Sequence, residues 1–269
     1  MTTSRTLRGG AIAGAAAVLG LTMLAAPPSQ ASASSSLCSN VITVVVRGSD
    51  EAAGTVTTTS AKSALYTYKG GMGRPGPVAT DLQSASAKRV YAAGLRYQAV
   101  IGWAGLAYNN SRHGGVVNLQ KSLNYLATQC PSSRTVLVGF SQGAHVIGDA
   151  LAKSSGVRPN ATARGKIAAV VLYGDPMYNP TEPFVNTKGL TKFGMLGTRT
   201  TGDLKEFETR LRSYCLAGDP ACQGSKTRGG FTPGALNDNP AGLKIHRSYF
   251  NSGSSQRNGG VAFLKSKTG

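Results

Sequence analysis

The segment VLVGFSQGAHV, residues 136–146, contains a serine whose surroundings suit a nucleophile. A β-branched and aliphatic run, typical of a buried strand, ends at Gly139, and a helix-like segment follows from Gln142. Gly139 and Gly143 flank Ser141 in the pattern G-x-S-x-G, because side chains at these positions would block the close approach of strand and helix. The alternative is a serine that caps an ordinary helix. The strand–turn–helix context favours the nucleophile.

A serine nucleophile needs a base, and the chain has three histidines. In hydrolases built on a parallel sheet, the histidine follows the serine and the acid along the chain. His113 precedes Ser141 and is expected in a solvated loop. His145 lies one helical turn after Ser141, so its ring should not reach the serine oxygen. His246 is therefore the expected base.

The acid must lie between the serine and the histidine. Asp219 is favoured because it lies in the segment C-L-A-G-D-P-A-C, where a disulfide would hold its carboxylate rigidly against an imidazole. Asp175, in a Gly-Asp-Pro turn after the next strand, is the second choice, but a turn-forming role is preferred for it. Asp149 is expected to point away from the site. The other acids in this interval are Glu182, Asp203, Glu206, Glu208 and Asp238.

The elements that must position these residues follow from hydrophobic periodicity. Strands are predicted at Val41–Val46, 97–101, 134–139, Ile167–Tyr173 and within 206–214. Helices are predicted at 81–95, 116–127 and 142–153, with one or two short helices after Ile245. The segment 50–80 reads as a long loop and 108–115 as a turn.

Buried strands that alternate with helices indicate an α/β fold of three layers, with a central, mostly parallel sheet and helices on both faces. Sites in such sheets lie beyond the carboxyl ends of the strands. Ser49, Ser141 and Asp175 each follow a predicted strand, so this edge of the sheet is the expected site.

Residues 1–33 are predicted to be a secretory signal peptide, which makes the protein an exported one. Arg5 and Arg8 precede an apolar run at 11–26, and an Ala-Ser-Ala cleavage pattern ends at residue 33. The apolar run is shorter than the ~20 residues of a membrane span. Residues 34–269 then form one domain with a sizeable core.

The four cysteines are expected to form two disulfides, because an even number in an exported chain is typical of a disulfide framework. Three pairings are possible among Cys38, Cys130, Cys215 and Cys222. Cys215 and Cys222 are close enough to close one small loop, in which case Cys38 and Cys130 pair with each other. A zinc site is disfavoured because the chain has no C-x-x-C pair.

The formal net charge of the chain is +18, and without Arg5 and Arg8 residues 34–269 carry +16. Such a charge suggests adsorption to an anionic surface such as a cell wall or an acidic polymer. The lysines and arginines are scattered, so a solvated basic surface is expected and specific nucleic-acid binding is not.

Four features together resemble the cutinase family of serine esterases. They are GFSQGA around Ser141, C-x-x-x-D-x-x-C around Asp219, H-x-x-Y from His246, and an R-G-S turn that ends at Ser49. The resemblance extends from about Cys38 to the carboxyl terminus. It implies an α/β-hydrolase fold with Ser141, Asp219 and His246 as a catalytic triad.

The resemblance also implies an oxyanion hole formed by Ser49, through its backbone and hydroxyl, and by the backbone N–H of Gln142. It implies the disulfides Cys38–Cys130 and Cys215–Cys222. We expect a monomer without cofactor, metal or membrane span that hydrolyses short acyl esters or polyesters. Acetylxylan esterases share these motifs, so acetylated polysaccharide stays open, as do lipid esters and a non-catalytic, basic wall-binding protein.

Overall fold

Five parallel strands form the centre of the structure, a computed structural model that describes residues 37–55, 63–66, 70–101, 106–187, 189–226, 236 and 239–269. The predicted signal peptide and Asp238 lie outside these residues. The strands are β1 (Val41–Val46), β2 (Val90–Gly94), β3 (Arg134–Phe140), β4 (Ile167–Tyr173) and β5 (Leu211–Tyr214). Their order in the sheet is β2-β1-β3-β4-β5, which places the ends of β1, β3 and β4 side by side.

Helices cover the sheet on both faces. They are α1 (Gly76–Ala85), α2 (Leu106–Gln129), α3 (Gln142–Leu151), α4 (Ala161–Lys166), α5 (Pro240–His246) and α6 (Ser255–Thr268), with a 3-10 helix at Lys205–Arg210. No helix in the described part of the chain is both long and apolar enough to cross a membrane. Ser35–Gly269 is one compact unit.

The sheet separates two apolar cores, one on each face. Side chains of β1 contribute to both, because successive strand residues face opposite sides of a sheet. Ile42, Val44 and Val46 pack with apolar residues of α2, α3 and α4. Val41 faces the other side, where side chains of α1 and α6 cover the sheet. The predicted three-layer α/β architecture with a parallel sheet is confirmed.

Both disulfides form with the pairing that the resemblance implies. Cys38–Cys130 ties the chain before β1 to the end of α2, and Cys215–Cys222 closes the loop that follows β5. The second bridge thus encloses Asp219.

The predictions for residues 81–101 are wrong in two respects. The helix predicted at 81–95 ends at Ala85, and Val90–Gly94 is the strand β2 instead. The small apolar residues of this segment fit both the spacing of a helix and that of a strand. Pairing with β1 determines that they form a strand. The strand predicted at 97–101 does not form, and Ala99 in its middle has a φ of 56°, outside the extended region of regular strands.

Two further boundaries differ from the predictions, and the strand predicted within 206–214 is confirmed. The turn predicted at 108–115 belongs to α2, where Gly115 serves packing: a Cβ there would lie 2.7 Å from the Val146 Cγ2 atom of α3. The loop predicted at 50–80 gives way to α1 from Gly76. Within 206–214 only Leu211–Tyr214 is a strand.

Candidate active site

Ser141 occupies a tight turn between β3 and α3 with a strained backbone. Its φ is 54°, in the region that non-glycine residues seldom adopt, and its N–H donates to the Tyr173 carbonyl at 2.9 Å. A Cβ on Gly139 would lie 2.7 Å from Ile147 Cδ1, and one on Gly143 would collide with a carbonyl oxygen of β1. The two glycines therefore permit the close approach of strand and helix that the sequence predicts.

The Ser141 hydroxyl does not cap α3, so the structure gives no support to the capping alternative. Ser141 instead lines a cavity of about 230 Å³ at the carboxyl edge of the sheet. Apolar and charged side chains both line this cavity: Ser49, Asp50, Glu51, Arg74, Ile101, Phe140, Ser141, Leu236, Leu243, His246 and Arg247.

Asp219 and His246 form a buried hydrogen-bonded pair at this cavity. The His246 Nδ1 atom lies 2.9 Å from Asp219 Oδ1 and 3.0 Å from Oδ2. Asp219 is fully buried and His246 is 4% exposed. Because a carboxylate only accepts, Nδ1 carries the proton and Nε2 is left with a free lone pair. That tautomer is the one a general base requires.

Two further donors hold the Asp219 carboxylate in place. The Ala221 N–H donates to Oδ1 at 2.8 Å, and the Tyr249 hydroxyl donates to Oδ2 at 2.6 Å. Burial, and then the adjacent carboxylate, raise the pKa of Tyr249 well above its ordinary value, so its hydroxyl stays protonated and can donate. The sequence pattern H-x-x-Y was the signal for Tyr249, but it did not disclose this role.

Ser141 and His246 reach the same cavity from neighbouring elements. His246 is the last residue of α5, and the Phe140 ring packs 4.7 Å from the centre of its imidazole. Among the described residues no hydrogen bond joins Ser141 to His246. In hydrolases this bond is often long without substrate and shortens when the substrate binds.

Ser49 lines the same cavity as Ser141, and Gln142 follows Ser141 directly in the sequence. Ser49 follows the Arg47-Gly48 turn at the end of β1 and is half-buried, and Gln142 is the fully buried first residue of α3. A buried guanidinium fixes the turn: Arg47 donates to the carbonyls of Glu51 at 2.9 Å and Tyr97 at 2.7 Å. The backbone N–H of Gln142 belongs to a helix amino terminus, where N–H groups have no partner within the helix.

Glu51 is a cavity residue that the sequence did not indicate. Its carboxylate accepts from the Gly48 N–H at 2.7 Å and from the Arg74 N–H at 3.1 Å. Burial raises the pKa of Glu51, although both N–H groups and the cations of Arg74 and Arg47 act in the opposite direction. Glu51 therefore braces the turn that presents Ser49.

The remaining candidates lie elsewhere. His113 is exposed, but on α2 and not in a loop, and buried His145 contacts the Tyr108 hydroxyl at 3.0 Å. Asp175 accepts the Met177 N–H at 2.9 Å, as expected of a turn aspartate, and also pairs with Arg199. Within the described ranges no cluster of histidine, cysteine and acidic residues could hold a metal ion.

Comparison with known proteins identifies relatives along most of the chain. The family model Cutinase matches residues 65–267. Acetylxylan esterase 2 of Talaromyces purpureogenus is 27% identical over 174 residues, which cover 61% of this chain and 66% of that protein. Cutinase 11 of Verticillium dahliae is 28% identical over 44% of this chain and 42% of its own. The chain thus spans less than two thirds of these relatives' lengths.

Solved structures show the same fold. An acetylxylan esterase solved at 0.90 Å has a TM-score of 0.63 at 22% identity, covering 86% of this chain and all of the other. A Trichoderma reesei cutinase in complex with a phosphonate inhibitor has a TM-score of 0.53 at 21% identity, with coverages of 86% and 78%. Because the family model matches more than half of its residues, this chain belongs to the cutinase family.

Proposed function

We propose that this protein is a secreted serine esterase with Ser141 as nucleophile, His246 as general base and Asp219 as the acid that orients it. The observation that carries the proposal is the buried Asp219–His246 pair, which faces the cavity that Ser141 also lines. The strained backbone of Ser141 supports it, because such strain is typical of functional positions.

The proposed reaction is acyl transfer in two steps. His246 Nε2 takes the Ser141 hydroxyl proton while the serine oxygen attacks the ester carbonyl carbon. The alcohol leaves with that proton, and an acyl-enzyme forms. A water molecule then gives a proton to His246 and attacks the acyl carbon. The bond from that carbon to the serine oxygen breaks, His246 returns the proton to the serine oxygen, and the acid is released. The chemistry requires no cofactor.

Ser49 and Gln142 are proposed to hold the oxyanion of the tetrahedral intermediate. The donors would be the backbone N–H of Gln142 and the backbone and hydroxyl of Ser49. Removal of one such donor typically costs ~3–4 kcal/mol of transition-state stabilisation. Two observations support this assignment: Ser49 lines the Ser141 cavity in a turn braced by Glu51, and Gln142 is the first residue of the helix that follows Ser141.

Secretion, the monomeric state and adsorption to anionic surfaces belong to the same proposal. The signal-like residues 1–33 and two disulfides in the folded unit support export to an oxidising environment. Short acyl esters or polyesters are the proposed substrates. A second candidate is the acetyl ester of a polysaccharide, because relatives named acetylxylan esterase match this chain.

Turnover of p-nitrophenyl butyrate tests the mechanism. We expect Ser141→Ala and His246→Ala each to lower kcat by at least about 10³-fold, because triad residues act as a unit. His113→Ala is the matched control, since His113 is an exposed histidine outside the cavity, and it should leave kcat within about twofold. Circular dichroism checks that each variant is folded.

Equal turnover by the wild type and both triad variants would contradict the assignment of Ser141 and His246. No turnover by the wild type on any ester tested would favour the non-catalytic, wall-binding alternative. A series of p-nitrophenyl esters from acetate to longer acyl chains separates the two substrate candidates. Activity confined to the acetate would contradict the polyester proposal and favour acetylated polysaccharide.

A further inference from the structure

A short segment, residues 99–101, connects the two candidate oxyanion residues. On one side it is bound to Asp50, the residue after Ser49. The Asp50 N–H donates to the Ala99 carbonyl at 2.6 Å, and the Ile101 N–H donates to Asp50 Oδ1 at 3.2 Å. The turn that presents Ser49 is thereby fixed to this segment at two points.

On the other side the same segment is bound to Gln142 through a closed ring of three hydrogen bonds. The Ser111 hydroxyl donates to Gln142 Oε1, Gln142 Nε2 donates to the Val100 carbonyl, and the Val100 N–H donates to Ser111 Oγ, each at 3.0 Å. Ser111 is 1% exposed and Gln142 is fully buried. Each polar group of the ring has a partner, so the ring fixes the direction of the Gln142 amide.

Backbone strain concentrates at this connection. Within the described ranges, three non-glycine residues have a positive φ: Asp50 at 57°, Ala99 at 56° and Ser141 at 54°. Ala99 has no side-chain oxygen to favour this conformation, and it is 1% exposed. Such conformations persist only where surrounding contacts hold them, and they are typical of functional sites. The bonds of Asp50 to residues 99–101 and the ring at Val100 hold Asp50 and Ala99 in this conformation, and the bond from the Ser141 N–H to the Tyr173 carbonyl holds Ser141.

We propose that Ser111 and the side chain of Gln142 are positioning residues, which with Asp50 keep the Ser49 and Gln142 donors at a fixed separation. This inference rests on the proposed esterase function. An oxyanion hole stabilises the transition state only when its donors already point at the developing charge. The Gln142 side chain thus has a role separate from that of its backbone N–H, and Ser111 acts only through Gln142 and Val100.

Ser111→Ala opens the ring and leaves the triad untouched. We expect kcat on p-nitrophenyl butyrate to fall about 10- to 100-fold with KM within about twofold, because small displacements of catalytic donors have effects of this size. The pH midpoint of kcat/KM should not move. Ser122→Ala is the matched control: Ser122 is a fully buried serine of the same helix whose hydroxyl bonds to the Asn118 carbonyl. It should leave kcat within about twofold.

Asp50 variants keep the test informative if Ser111→Ala fails to fold, since Asp50 is exposed. Asp50→Ala removes the acceptor of the Ile101 N–H, and we expect it to lower kcat with little change in KM. Asp50→Asn retains an acceptor oxygen and tolerates a positive φ. It should therefore lose much less activity than Asp50→Ala.

A double-mutant cycle with Ser49→Ala distinguishes positioning from a general structural effect. If Ser111 acts through the oxyanion hole, its substitution should cost clearly less in the Ser49→Ala background than in the wild type. Additive losses, or equal kcat in Ser111→Ala and Ser122→Ala, would overturn the inference while an active wild type leaves the esterase proposal intact. A wild type without esterase activity would overturn both.

Discussion

At the scale of single residues, Tyr249 connects the candidate acid to its own loop. Its hydroxyl donates to Asp219 Oδ2 and accepts from the Leu216 N–H at 2.8 Å. Both partners belong to the segment that the Cys215–Cys222 bridge closes. The disulfide fixes where the loop begins and ends, and the tyrosine fixes how its carboxylate faces His246. One hydroxyl group is therefore expected to contribute both to stability and to the orientation of the His246 imidazole.

Tyr249→Phe should separate these two contributions. The substitution leaves the Leu216 N–H without an acceptor and removes a donor from Asp219, and an unsatisfied buried group costs about 1–3 kcal/mol. We expect the free energy of unfolding in urea to fall by about that amount and kcat to fall several-fold. Tyr214→Phe is the control, since the Tyr214 hydroxyl bonds to no described residue and its ring stacks on Tyr173. Equal stability and kcat in both variants would contradict the role of Tyr249.

At the scale of elements, Arg199 joins α3, the helix that follows Ser141, to the loop that follows β4. Its guanidinium donates to Asp149 and to the His145 carbonyl of α3, each at 3.0 Å, and to Asp175 at 2.6 Å. Beside Asp175, Gly174 leaves no room for a side chain, because a Cβ there would lie 2.9 Å from Asp219 Oδ2. The arginine therefore ties the element that carries Ser141 to the loop packed against Asp219.

Loss of Arg199 should be costly, because the buried Asp175 carboxylate then has no ion-pair partner among the described residues, while Asp149 keeps Arg112 and His145. We expect Arg199→Met to lower the free energy of unfolding by about 3–5 kcal/mol, the usual effect of breaking a buried ion pair. Arg158→Met removes the more exposed pair with Glu206 and should cost at most about 1 kcal/mol. Urea unfolding at neutral pH measures both. Similar losses in the two variants would contradict the link between α3 and the β4 loop.

The ion pairs of Arg199 with Asp149 and Asp175 should make the free energy of unfolding depend on pH. Burial alone would raise the pKa of Asp149, but His145, Arg199 and Arg112 outweigh burial and hold that pKa well below its ordinary value. The pKa of an aspartate in the unfolded chain is about 3.9. Because the pKa of Asp149 in the folded protein is lower, its ionised carboxylate stabilises the fold above about pH 3.9, and this stabilisation is lost progressively as the pH falls further. The difference in unfolding free energy between wild type and Arg199→Met should therefore shrink below about pH 4. A constant difference from pH 3 to pH 7 would contradict the ion-pair origin.

The sequence predicted the elements that local spacing determines. Buried strands such as Val41–Val46 and the turn at Ser141 follow from continuous β-branched residues and from two glycines without room for a Cβ. It failed at 81–101, where small residues satisfy two periodicities and pairing with β1 decides the outcome. Asp219 and His246 could be selected by chain order and the cysteine spacing, and their catalytic roles stay predictions.

The contacts of Ser111, Glu51 and Arg199 could not be predicted. Each links segments that are distant in sequence: Ser111 contacts Gln142 31 positions away, and Arg199 contacts Asp149 50 positions away. A serine in a helix or an arginine in an irregular segment has no local pattern that distinguishes it from a solvated residue. The packing of α2 on α3 gives Ser111 its partner Gln142, and the packing of the β4 loop on α3 gives Arg199 its partner Asp149. Glu51 gains the Arg74 N–H from a segment 23 positions away.

At the scale of the whole molecule, the basic residues differ in whether they form ion pairs with acidic residues. In the described part of the chain the ion pairs with acids are made by arginines and histidines, and by no lysine. With 29 basic residues against 11 acidic ones, the chain has a net charge of +18 that its own acids cannot neutralise. The charge is therefore expected to influence where the protein accumulates and not how it folds or turns over small esters.

Adsorption to an acidic polysaccharide tests this expectation. At low ionic strength we expect the protein to sediment with insoluble polygalacturonate and not with neutral xylan, and to be released as NaCl approaches 1 M, where the Debye length is only about 3 Å. Ser141→Ala should adsorb equally, because the charge is unchanged and no turnover is needed. Turnover of a small neutral ester should vary little with salt, since long-range fields steer only charged partners. Adsorption that persists at 1 M NaCl, or equal adsorption to neutral xylan, would mean that specific contacts and not net charge hold the protein at the polymer.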